Sequence, residues 1–208
     1  EINPYRANQF RKAQGKKAKT DRIDARSLAA LLSLGDHKPL TIPDPVIDNL
    51  RELTRFRTDM VKDRTALVNQ LHETLSTLFP EFATVFNQLD SPTSLALLTA
   101  YPGPDYICHA GEAKVGEALA NASRGRMEKV AAKALVVAAQ SSVGALQRQP
   151  ALVTKVSILG ERILSLNAAI VKVEKQIENL FSKLPYNPKD FPVGDIPSLA
   201  TLISEIED

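Results

Sequence analysis

Residues 156–184, VSILGERILSLNAAIVKVEKQIENLFSKL, decide the fold. Val156, Leu159, Ile163, Leu166, Ile170, Val173, Ile177, Leu180 and Leu184 recur in alternating steps of three and four, which keeps apolar side chains on one stripe of a helix over four heptads. Such a stripe needs a partner helix to cover it. Gly160 alone works against the pattern, at about 1 kcal/mol relative to alanine in a helix interior. The partner lies upstream. From Pro45 to Leu78 no glycine or proline interrupts the chain after its first residue, and Pro45 suits a first helical turn with Asp44 as cap. Leu50, Leu53, Met60, Leu67, Leu71 and Leu78 carry its stripe, while Arg57 and Arg64 fall in the same register. Those arginines have three open roles: to specify register, to face an acidic partner, or to snorkel outward. Between the long helices, residues 91–144 read as short helices broken at Tyr101-Pro102-Gly103-Pro104 and at Ser123-Arg124-Gly125-Arg126. The predicted architecture is mainly α, a long antiparallel helical hairpin of coiled-coil type with a small helical tip.

Before the hairpin, Asp21 to Leu34 reads as a short amphipathic helix with Ile23, Leu28, Leu31 and Leu32 apolar, stopped by Gly35. A loop marked by Pro39, Pro43 and Pro45 follows. At the helix entrance, Lys19-Thr20-Asp21-Arg22-Ile23-Asp24-Ala25 sets two carboxylates three residues apart, on one face with Cβ atoms roughly 5–6 Å apart. One reading has Thr20 or Asp21 as helix cap and both acids favouring the positive helix end. The other has Asp21 and Asp24 sharing a divalent cation, because Mg²⁺ takes carboxylate oxygens and keeps sites for water and phosphate. Residues 1–26 hold eight basic side chains against three acids, a local charge of +5. Such a run is either a solvated arm or, beside a metal site, a holder of phosphate backbone through charge.

Asn3-Pro4, Phe10-Arg11, Gly15, the seven residues 19–25 and Arg26-Ser27-Leu28-Ala29 resemble the DEDD insertion-sequence transposases, the family that includes the Piv DNA invertase. Leu97 to Pro104 and Ala122 to Arg126 are similar to the helical region of that family, and Pro197 to Asp208 to the opening of its C-terminal transposase domain, although the glycine-rich turn usual there is reduced to Gly194. The resemblance implies an N-terminal catalytic domain of the RNase H or resolvase type, of which residues 1–38 would be the end. It implies Asp21 and Asp24 as catalytic, metal-binding acids, Mg²⁺ or Mn²⁺ as cofactor, and DNA as substrate. Arg11, Lys12, Lys16, Lys17, Lys19, Arg22, Arg124 and Arg126 would then hold nucleic acid. Some members of the family are guided by a structured RNA, which makes a guide RNA a further expected partner, and assembly as a dimer or tetramer through the long helices is expected. Two more acids upstream and a serine downstream belong to the family's machinery, and the chain opens on Glu1 rather than methionine, so it is expected to be an internal fragment that is inactive alone. The division that follows is residues 1–38, a linker and first long helix at 39–90, a small helical region at 91–150, a heptad helix at 151–186, and the start of a transposase domain at 187–208.

Composition narrows the alternatives. A net charge of +2 is too small to argue nucleic-acid binding unaided, so the clustering of charge carries that argument. One cysteine, Cys108, excludes an internal disulfide and fits a reducing cytoplasm, where a nucleoid-associated protein works. Cys108-His109 with His37 and His72 far off does not make a zinc ligand set. No apolar run nears the roughly 20 residues that span a bilayer. Four tyrosines, seven phenylalanines and no tryptophan argue against an extended base-stacking platform. Two rivals remain: a noncatalytic helical interaction module, and a junction-resolving nuclease that cuts without joining.

Overall fold

The structure, a computed structural model, describes residues 4–15, 20–35, 44–124, 129–144, 149–191 and 194–206. Among them every regular element is helical and there is no strand, so the chain is mainly α. It divides after Pro45 into a small unit and a larger one from Val46 to Ile206. No helix among the described residues is long and apolar enough to cross a membrane.

The small unit packs α1 (Pro4–Ala13) on α2 (Asp21–Ser33). Its apolar content is low: α1 buries no residue, and α2 buries Ser27 and Leu31. Polar contacts do part of the joining, with the Ser27 hydroxyl 3.4 Å from Gln14 Oε1. Helix α2 ends as the sequence predicts, with Gly35 at φ 66°, a left-handed conformation open to glycine at little cost.

In the larger unit the long helices are α3 (Pro45–Leu78) and α8 (Gln149–Phe181). They run antiparallel, because Arg57 Nε donates to Glu174 at 2.8 Å and Arg64 Nε to Asn167. Seven residues forward in α3 thus match seven backward in α8. Between them come α4 (Phe82–Val85), α5 (Pro92–Ala100), α6 (Pro104–Ser123) and α7 (Lys129–Gln140), which form the tip. The heptad stripe is covered, but not uniformly. Val156, Leu159 and Ile163 join Leu71, Leu75, Phe79, Phe82, Leu95, Ile107 and Leu119 in one apolar core at the tip. Ile177 and Phe181 join Ile47 and Leu50 in a second core at the base. Each fully buried Leu, Ile or Phe contributes about 1.5–3 kcal/mol, so these two clusters hold the hairpin together.

Between the cores lies a polar belt. Arg57 pairs with Glu174 at 2.7 Å, and Arg64 Nη2 donates to Asp90 at 2.7 Å, each of these side chains a quarter to a third exposed. Of the three roles open to the arginines, facing acidic partners is the one taken. The seam expected to reach Leu184 leaves the helix at Phe181, yet Leu184 still packs on the base core from the turn beyond. Gly160 also has a packing reason: a Cβ there would sit 3.1 Å from Thr99 Oγ1, so glycine lets α5 cross α8 closely.

The chain closes with α9 (Ile196–Ile206), which lays Leu199, Ala200 and Ile203 on the base core. Asp195 caps it, accepting the Ser198 N–H at 3.1 Å. Arg51 Nε reaches the Ser204 carbonyl at 2.8 Å in a buried contact, and Arg55 clasps the Glu205 carboxylate with two bonds of 2.8 and 2.9 Å.

Candidate metal and nucleic-acid site

The small unit brings the acidic pair of the K-T-D-R-I-D-A stretch into a specific setting. Thr20, in extended conformation, is the cap of α2, and its hydroxyl accepts the Ile23 N–H at 3.4 Å. Neither aspartate is therefore spent on capping. Asp21 and Asp24 both occupy the first helical turn, where the helix end favours negative charge. Asp21 is exposed and Asp24 half-buried.

Across from Asp24 stands Arg11 of α1, its Nε 3.4 Å from Asp24 Oδ1. The guanidinium is steadied from behind, since Arg11 Nη2 donates to Asn8 Oδ1 at 2.8 Å. Asn8 was not singled out from sequence, although its spacing of three from Arg11 on a helix places the two side by side. The Arg11 side chain is 12% exposed and that of Asp24 35%, so the pair is partly solvated. Ion pairs of that kind contribute up to about 1 kcal/mol, little enough to be exchanged for a stronger cation. Arg11, Lys12, Asp24, Asn8, Tyr5 and Ser27 line an open groove of about 750 Å³.

Chemically, the groove joins a carboxylate to two basic side chains. Asp21 and Asp24 offer the hard oxygen donors that Mg²⁺ and Mn²⁺ prefer, and so fit such an ion as part of a ligand set. Among the described residues no group of three His, Cys, Asp or Glu side chains assembles into a site. The other expected nucleic-acid contacts are dispersed. Lys12 and Arg22 are exposed on α1 and α2. Arg124, in the larger unit, is exposed and caps α6 in a left-handed conformation at φ 54°, ψ 44°. Lys16, Lys17, Lys19 and Arg126 lie outside the described residues.

Comparison with known proteins converges on one family. Residues 1–80 match the DEDD family of the IS110 type, whose description is "Transposase". Over 167 residues the chain is 32% identical to the 42 kDa protein of insertion element IS900 from Mycobacterium paratuberculosis, covering 79% of this chain and 41% of that protein. Over 164 residues it is 28% identical to the 44.8 kDa protein of insertion element IS116 from Streptomyces clavuligerus, covering 78% and 41%. The chain thus spans about two fifths of the length of these curated relatives. No solved structure matches it. With the match at its N-terminal end and relatives aligned along most of its length, the chain belongs to the IS110-type DEDD transposase family.

Proposed function

We propose that the full-length protein is a metal-dependent DNA transposase or site-specific recombinase that cleaves phosphodiester bonds and transfers the strands, with Asp21 and Asp24 among its metal ligands. The observation that carries this reading is that Thr20 caps α2, so neither carboxylate serves as the cap, and Asp24 faces an open groove beside Arg11 and Lys12. Arg11, 3.4 Å from Asp24 Oδ1, orients that carboxylate. Asp24 would hold a divalent ion by its carboxylate, and the Arg11 guanidinium would then be placed to hold a phosphate oxygen, a contact its planar fork suits. A divalent ion bound there supplies charge stabilisation to the attacking and leaving oxygens of the transferred phosphoryl group.

On this reading Lys12, Lys16, Lys17, Lys19 and Arg22 hold the backbone of the DNA, with Arg124 and Arg126 as further contacts. Charge contacts of this type are indifferent to sequence, and they suit a structured guide RNA as well as DNA. The two-core hairpin would serve to bring copies of the site together in a dimer or tetramer. The test is DNA strand exchange by the full-length protein across a Mg²⁺ or Mn²⁺ titration, compared with an Asp21→Ala, Asp24→Ala variant. Loss of exchange at every metal concentration is expected. Equal activity in both proteins would remove the metal assignment, and nicked products without rejoined recombinant ends would favour a resolvase instead.

A further inference from the structure

Two of the four tyrosines in the chain meet in one place that the metal reading does not use. The Tyr101–Gly103 turn joins α5 to α6, and α6 itself breaks at Gly111, where φ 73° and ψ 171° lie outside the helix and in a region favoured by glycine. At this bend is an open surface cavity of about 570 Å³, lined by Tyr101 and by the exposed side chains of Asp105, Tyr106, His109 and Lys114. That volume falls within the range of small-ligand sites. Tyr106 is 50% exposed, so its ring is open to a ligand from solvent.

The polar groups around the cavity are largely uncommitted. Among the described residues, the Tyr101 and Tyr106 hydroxyls and the Lys114 ammonium have no protein partner. Asp105 spends one oxygen on the Gln149 amide at 2.6 Å, leaving the other open. His109 Nδ1 lies 2.7 Å from the Asp105 carbonyl oxygen. A carbonyl only accepts, so Nδ1 carries the proton and Nε2 presents a lone pair when the ring is neutral. The cavity therefore offers aromatic faces, two acceptors and one cation.

That combination selects a ligand class. A purely apolar ligand would strand the acceptors, and a bare phosphate would meet Asp105 as well as Lys114. An unpaired nucleotide satisfies every group: its ring stacks on tyrosine, an exocyclic amino group donates to Asp105 or His109, and its phosphate meets Lys114. We propose that this cavity receives one unpaired nucleotide of a nucleic-acid strand, with preference for adenine, cytosine or guanine over thymine and uracil, which lack an exocyclic amino group. The proposal rests on the reading that the protein works on nucleic acid, but not on the metal site.

The experiment is fluorescence anisotropy on the 208-residue chain with labelled single-stranded octamers of deoxyadenosine, deoxycytidine or thymidine. The adenosine and cytidine octamers are expected to bind more tightly than the thymidine one. Tyr106→Ala should weaken their binding about tenfold or more, and Tyr106→Phe should restore it, because stacking needs the ring and not the hydroxyl. Lys114→Ala should weaken all three octamers and flatten their salt dependence. Asp105→Asn should narrow the preference over thymidine. Wild-type binding of the octamers by Tyr106→Ala, no preference over thymidine, or no octamer binding by the native chain would each overturn the proposal. Melting curves confirm that each variant is folded, and Lys114→Ala, an exposed position, keeps the test open if Tyr106→Ala is not. Full strand exchange by an Asp21→Ala, Asp24→Ala protein would sink the metal assignment and leave this inference intact, whereas octamer binding insensitive to Tyr106→Ala would sink only the inference.

Discussion

Replacing Ile163 and Ile170 separately by alanine tests the division of the hairpin into two cores. Both residues sit on the same heptad stripe of α8, one helical repeat apart, and sequence alone ranks them as equals. Ile163 is 0% exposed and lies inside the tip core. Removing three carbons there loses about 2.4 kcal/mol of transfer free energy, and the cavity left in a closed cluster brings the cost to about 3–4 kcal/mol. Ile170 is 8% exposed and belongs to neither core. Its neighbourhood is the belt of Arg57, Glu174, Arg64 and Asn167, where arginine stems and water can move into the vacated space. The cavity contribution largely vanishes, and the cost falls to about 1.5–2.5 kcal/mol. Urea denaturation with linear extrapolation gives both values, with an unchanged slope as the check that only stability has moved. If Ile170→Ala costs as much as Ile163→Ala, the interior is continuous and the polar belt does not separate two cores.

Two further outcomes follow from local chemistry. Hydrogen bonding to Ser198, opposed by partial desolvation and helped by the Arg57 charge, holds the Asp195 carboxyl below its ordinary range, and the Arg55 guanidinium does the same for Glu205. Carboxyls lowered in the folded state stabilise fully above their unfolded values of about 3.9 and 4.3, and lose that contribution as pH falls through the folded values. Between about pH 5 and pH 3 the amides of α9 should therefore lose hydrogen-exchange protection before those of α5, and loss in step would contradict the assignment. Arg124 pays for its left-handed conformation, which costs an L-residue roughly 1–2 kcal/mol, so Arg124→Gly should raise stability by about 0.5–1 kcal/mol. A lowered melting temperature would show that the arginine side chain holds the turn.

Periodicity carries most of the fold because a long apolar stripe without a partner is untenable in water. Val156 to Ile177 announce α8, the uninterrupted run from Pro45 announces α3, and their pairing follows from both. What the stripe cannot encode is how evenly it is covered. Arg57 and Arg64 read as blemishes on α3, and only the opposing Glu174, Asn167 and Asp90 give them a place. Gly160 reads as a weakness of α8 until the crossing of α5 gives it a purpose. At the acidic pair, spacing places both aspartates at the entrance of α2, but the choice between Thr20 and Asp21 as cap is settled by backbone conformation, which spacing does not report. The pairing of Arg11 with Asp24 depends on how two short helices meet, and neither helix carries enough apolar surface to forecast that. Counting aromatic residues along the chain likewise argues against base stacking, because it cannot register that Tyr101 and Tyr106 share a cavity beside a break at Gly111.

The belt between the two cores has a mechanical consequence. Tip and base are each locked by their own apolar cluster, while the stretch joining them combines two buried apolar side chains outside both clusters, Met60 and Ile170, with three polar contacts, Arg57 with Glu174 and Arg64 with Asn167 and Asp90. Partly exposed contacts of this kind exchange with water at about 1 kcal/mol apiece, far below the cost of opening either cluster. Because α3 and α8 both run unbroken through the belt, loosening there would part side chains and leave the backbone helical, so hydrogen exchange should register the two clusters and not the belt as the last points to open.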